Sequence, residues 1–142
     1  MLANTTATIY NKSVDYNTDA VVYNRTVLPA VHWEDGISSA AKGKSRAEDR
    51  PVFVSIDFIV ASEMEKQYLP AHEYAQLPTT DQSKYWTLAI GDILLKGTVE
   101  DEIPDRGIKH WLAQHPQAAS ITALETLDLG SKNMQHWEVT AK

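Results

Sequence analysis

Alternation of apolar and polar side chains recurs along this chain in short runs punctuated by turn-forming residues, whereas helical spacing occurs in one main stretch. That imbalance is the tightest constraint on the fold, because a single helix cannot cover both faces of a parallel sheet. Pro51 to Ile59 carries the cleanest alternation, with Val52, Val54, Ile56 and Phe58 on one face and Ser55 and Asp57 on the other. Val21 to Trp33 reads as a long bent strand, apolar at Val21, Tyr23, Val27, Val31 and Trp33. Arg25 interrupts that row, and Pro29 indicates an edge or a bulge. Tyr85 to Ile90 and Ile93 to Val99 flank the turn signal Gly91-Asp92 and are expected to pair as a hairpin. Ser120 to Leu129 and Gln135 to Ala141, separated by Gly130-Ser131-Lys132-Asn133, are expected to form a closing hairpin.

The helical stretch places Ile108, Trp111, Leu112 and His115 at i, i+3, i+4 and i+7, between Asp105 as a cap and Pro116 as a stop. Tyr74 and Leu77, held between Pro70 and Pro78, suit a single helical turn or an irregular crossing. At 142 residues, 43% hydrophobic and without an internal repeat, the chain has room for one domain spanning 1–142. The expected fold is mainly β, a small antiparallel β-barrel or sandwich with one short helix and a long inter-strand loop. There is no cysteine, so disulfides, thiolate-bound zinc and thiol nucleophiles are excluded and packing must hold the fold.

The loop is Glu34 to Arg50, which lies between two strong strands and has no large apolar residue after Ile37. Hairpin connections usually take about two to five residues, so a polar stretch of this length is a functional signal. Its basic residues Lys42, Lys44, Arg46 and Arg50 are offset by Glu48 and Asp49, a mixture that fits a solvated loop as well as a working one.

Reactive constellations are scarce. His32, His72, His110, His115 and His136 lack metal-ligand spacing, and no metal is expected. The run Glu100-Asp101-Glu102, with Asp105 nearby, has the composition of an acid/base pair or a hard-cation set. Carboxylates clustered after a strand more often form a solvated turn that caps the next helix. The motifs G-x-S-x-G, G-x-x-x-x-G-K-[ST] and G-x-G-x-x-G do not occur. No catalytic, cofactor-binding or metal residue is therefore assigned, and no enzymatic activity is expected.

Trp33, Trp86, Trp111 and Trp137 have the chemistry of a sugar- or base-stacking platform, but each sits in an apolar pattern that also suits core or subunit-interface packing. Arg25, Trp33, Trp86 and Trp137 are the interface candidates. Thirteen Lys plus Arg against nineteen Asp plus Glu give a net charge of −6, which removes the general attraction to phosphate backbones. The start of the chain lacks a basic, apolar leader and no window reaches the ~18 apolar residues of a membrane span. The chain is thus expected to be soluble and unsecreted, and the sequons at Asn4, Asn11 and Asn24 carry no weight.

Tyr10-Asn11, the long strand ending at Trp33, Tyr68-Leu69-Pro70 with Glu73-Tyr74-Ala75, Trp86-Thr87-Leu88, Gly91-Asp92, Gly97 and the final His136-Trp137-Glu138-Val139 together resemble minor structural proteins of tailed bacteriophages. The closest likeness is to the head-closure, or stopper, proteins of the head-to-tail neck, with a neighbouring neck ring, the adaptor or the tail terminator, as the alternative placement. That resemblance implies a virion component made in the bacterial cytoplasm, a β-barrel that packs with copies of itself into a hexameric ring between a connector or adaptor ring and a tail-terminator ring. It also implies a long early loop that faces the DNA channel, by position Glu34 to Arg50, making Lys42, Lys44, Arg46 and Arg50 its channel or partner residues. DNA would then pass through without sequence-specific binding, an acidic wall favouring sliding over adhesion. No cofactor and no membrane partner are implied.

Overall fold

The computed structural model describes residues 3–15, 17–36, 51–104 and 106–142. Its largest unit is an antiparallel ribbon of β1 (Thr5–Asp15) and β2 (Ala20–Asp35), in register from Asp15 against Ala20 to Thr5 against Val31. The register slips between Thr5 and Ala7, whose partners are Val31 and Leu28, so the additional residue falls at Pro29-Ala30 of β2. Pro29, with no N–H to donate, thus occupies the bulge its sequence position indicated.

The far end of β2 pairs with β3 (Val52–Asp57), which pairs with β8 (His136–Ala141). From β8 the ladder continues to β7 (Ala119–Leu127), then to β6 (Ile93–Lys96), and β6 returns to β1. Every step is antiparallel, and the circuit β1-β2-β3-β8-β7-β6 closes. The fold is mainly β, as expected, and the closing hairpin β7–β8 is present with a bulge at Thr122.

Three expectations need correction. In place of one helix the described residues hold four short ones, α1 (Phe58–Ser62), α2 (Ala71–Ala75), α3 (Thr79–Gln82) and α4 (Ile108–Gln114). The strand read as running to Ile59 stops at Asp57, because Phe58 turns into α1 and packs its ring 4.2 Å from that of Trp137. Nor do Tyr85 to Ile90 and Ile93 to Val99 form a hairpin. Tyr85–Trp86 (β5) pairs parallel with Gln67–Tyr68 (β4), and β6 runs between β1 and β7. Gly91, at φ 97, donates its N–H to Ile121 O, and Ile121 N returns a bond to Asp92 O, which commits this corner to β7.

The helix α4 begins from Gly107, at φ 91, whose carbonyl accepts the Trp111 N–H. The expected cap, Asp105, lies outside the described residues. Leu112 and Trp111 fall on the helix as read, with Trp111 buried and Leu112 36% exposed.

The barrel interior is filled by Ile9, Leu28, Val54, Ile56, Leu88, Leu94, Ile121 and Val139, together with Trp33, Trp86 and Trp137. The Tyr68, Trp86 and Trp137 rings meet at centroid distances of 4.3 to 5.7 Å. A second apolar cluster, Tyr10, Ile93, Leu95, Ile103 and Trp111, lies where α4 covers the outer side of β1 and β6. Tyr10 meets Trp111 edge to face at 5.2 Å. Consequently Trp33 (5% exposed), Trp86 (0%) and Trp137 (5%) are core residues and not interface residues or a sugar-stacking platform. Each sits on the inward side of its segment, where a large ring contributes most by leaving water. No helix among the described residues is long and apolar enough to cross a membrane.

Candidate functional site

The chain leaves the described barrel at Gly36 and re-enters it at Pro51. Glu34 and Asp35, read above as loop, belong to β2 and pair with Phe53 and Val52. The crossing is closed by a bond from Gly36 N to Pro51 O of 2.8 Å. A Cβ on Gly36 would stand 2.6 Å from that oxygen, so only glycine permits the approach. Asn4 steadies the same end, donating Nδ2 to Trp33 O at 3.0 Å and accepting from Trp33 N at 2.9 Å. A hollow of about 550 Å³ opens here between Trp33, Asp35, Pro51, Lys96, Pro116 and Lys142. Lys42, Lys44, Arg46 and Arg50 lie outside the described residues.

A buried polar knot ties β1 to the segment before β6. Asn11 donates Nδ2 to Thr87 O (2.7 Å) and to Asp92 Oδ2 (2.8 Å), and its Oδ1 accepts from Thr87 N (3.2 Å). Asp92 also accepts from Lys12 N and Ala89 N. Burial pushes the Asp92 carboxyl up to about 6, against the opposing pull of these hydrogen bonds. All three sequon asparagines prove to be structural ties, since Asn24 Nδ2 donates to Tyr74 OH at 2.8 Å. Sequence reading passed over Asn11 and took Asp92 for a turn residue. The available signal was the run Leu88-Ala89-Ile90-Gly91-Asp92-Ile93-Leu94-Leu95, in which a lone carboxylate sits among apolar residues.

Arg25 is half-buried and donates Nε to Val99 O, while its own carbonyl accepts from Lys66 Nζ at 2.6 Å. This interface candidate is thereby engaged within its own chain. Burial lowers the Lys66 amine, partly offset by Glu102. Tyr10 OH donates to Asp101 O at 2.6 Å, and burial raises the phenol to about 12.

Glu100, Asp101 and Glu102 are all exposed. Asp101 meets His115 Nε2 at 3.1 Å, and the His115 ring stacks on Trp111 at 4.0 Å. This arrangement fastens the 99–103 segment to α4. Among the described residues no group of three His, Asp or Glu is placed to hold a metal ion.

The outer face of β2, β3 and β8 carries cross-strand rows His32–Ser55–Glu138 and Glu34–Phe53–Thr140 around a shallow groove of about 380 Å³. Phe53 is 43% exposed there, and the nearby acids are Glu34 and Glu138, both exposed. No curated protein and no solved structure matches the chain. A family model matches residues 2–142, almost the whole chain, and the protein belongs to the family described as Family of unknown function (DUF6751).

Proposed function

We propose that this protein is a non-enzymatic subunit of a tailed-bacteriophage neck, a stopper-type ring component that links the connector to the tail and lines the DNA channel. The observation that carries the reading is the root at Gly36 and Pro51. Two strands of a closed barrel end there in a tight pair, and the polar, mixed-charge stretch between them is longer than a hairpin needs. Such a scaffold holds the two ends of the stretch beside a barrel whose described residues form a packed core. The engaged state of Asp101 and Arg25 and the exposure of Glu100 and Glu102 agree with work done by shape and contact.

Deleting Ala40 to Arg46 in the phage tests this. The variant protein is expected to keep the parent's circular dichroism and cooperative melting, while lysates contain heads that have lost DNA or lack tails by electron microscopy. Normal infectious titre from that variant overturns the reading. Cryo-electron microscopy of the neck checks the location itself, a ring between connector and tail being the expected density.

A further inference from the structure

We propose that the outer face of β2–β3–β8 is a docking surface for a second copy of this chain, and that it inserts Phe53 into the hollow between α4 and the β6–β7 side of the neighbour.

Phe53 stands on a closed, well-packed barrel yet is 43% exposed, between Glu34 across one ladder and Thr140 across the other. Its ring also leans toward the root, since a Cβ on Gly36 would lie 3.1 Å from Phe53 Cε2. Among the described residues no helix is placed over this face, whereas the outer side of β1 and β6 is covered by α4. The groove around Phe53 is bordered by Glu34 and Glu138, and Glu125 extends the acidic row on β7.

The complementary surface is a hollow of about 330 Å³ lined by Tyr23, Ile93, Ile108, Leu112 and Ala118, with Lys142 at its rim. Leu112 projects from α4 at 36% exposure, so one wall is apolar and open. Lys96 and Lys142 both border the adjoining concavity, and Lys109 is exposed on α4 itself. An aromatic knob flanked by Glu34 and Glu138, with His32 in the same groove, and an apolar hollow neighboured by Lys96, Lys109 and Lys142 match in shape class and, on balance, in charge sign.

The two surfaces are different, the first built on the end of β2 with β3 and β8 and the second on the start of β2 at Tyr23 with β6, β7 and α4. A contact between them is therefore heterologous, each copy offering its knob to the next and its hollow to the one before. Repeated, such a contact gives a closed ring or a filament. Closure into a ring rests on the neck reading proposed above, whereas the contact itself does not. The contact also runs beside Gly36 and Pro51, which brings the roots of the 37–50 segments of adjacent copies to the same side of the assembly.

The chain has no cysteine, which makes disulfide trapping specific. In the full-length protein, Ser55→Cys in the groove beside Phe53 together with Ser120→Cys in the hollow is expected to give, on mild oxidation, a ladder of dimers, trimers and higher species on non-reducing gels, and adding Phe53→Ala is expected to abolish it. Each single cysteine variant is expected to stop at a minor dimer. Adding Glu34→Lys should reduce the ladder by about tenfold through like-charge repulsion, and adding Lys142→Glu on top should restore it. A double cysteine variant that stays monomeric, or dimers from Ser55→Cys alone in equal yield, overturns the inference, as does a ladder insensitive to Phe53→Ala or to both charge changes. Circular dichroism of each variant separates loss of contact from loss of fold. Neck location is read separately from the virion, so a failed ladder with a neck density refutes this contact and leaves the neck reading standing.

Discussion

At Asn11 a single side chain reaches three groups more than seventy positions further along the chain, bonding both backbone groups of Thr87 and the Asp92 carboxylate. Asn11→Ala would leave the Thr87 N–H and C=O buried without these partners, a loss of about 2–3 kcal/mol. Urea unfolding is expected to show the midpoint falling with little change in slope. Asp92 gives the same knot a pH dependence. Its folded value near 6 lies above the ordinary 3.8, so the native state holds the proton more tightly than the unfolded chain. Its contribution to stability is fully present below 3.8 and is lost as pH rises through about 6, on the order of 3 kcal/mol for a shift of this size. His136 adds in the same direction. Bonds to Met134 O and Glu138 raise it above 6.5, so its contribution is present below 6.5 and disappears as pH climbs through the higher folded value. Denaturant midpoints should therefore fall between pH 4 and pH 8, and Asp92→Asn should flatten the acid half of that profile. A midpoint that rises steadily over this range contradicts the assignment.

Among the elements, the pairing of β2 with β3 depends on the narrow crossing at the loop root. Gly36→Ala would set a Cβ 2.6 Å from Pro51 O and 2.8 Å from Pro51 Cγ, neither of which is a flexible chain end. The strands must separate locally, at about 1–3 kcal/mol. Hydrogen exchange is expected to accelerate at Asp35, Gly36 and Phe53 while the β7–β8 amides keep their protection, and unchanged exchange at the root would count against the clamp. Element by element, legibility followed how local the cause was. The β2 bulge could be read because proline's missing donor acts on its own strand. The β7–β8 hairpin could be read because a turn sequence separates two alternating runs. β1 was missed as a strand because Ala7 to Asn11 are buried on both faces, one toward the barrel and one beneath α4, which erases alternation. The hairpin expected across Gly91-Asp92 failed because Asp92 is satisfied by β1 and by Ala89, a choice no local pattern reveals.

Over the whole molecule, closure of the circuit is what sorts side chains into interior, covered and open faces. Ordering the same six strands as an open sheet would leave two free edges, and the short β6–β7 seam at Ile93–Ser120 and Leu94–Ala119 removes them. Closure also buries Trp33, Trp86 and Trp137, so that Phe53 and Leu112 become the exposed apolar groups beside the acidic and basic surfaces proposed to meet. The lack of large apolar residues after Ile37 in the 34–50 stretch is a property of the sequence alone, whereas the exposure of Phe53 was not legible in it. Alternation assigned Phe53 to the side away from Val52 and Val54 without saying whether another element would cover it.

Residue order alone determined the class of fold, the break in β2 at Pro29, the last hairpin and the helix around Trp111, because each follows from a few neighbouring residues. Tertiary structure decided which strands are neighbours, that Asn11 and Asp92 form one buried unit, and which aromatic rings face water. Those outcomes depend on contacts between residues far apart in the chain, where the energy of one pairing is known only against all the others it excludes.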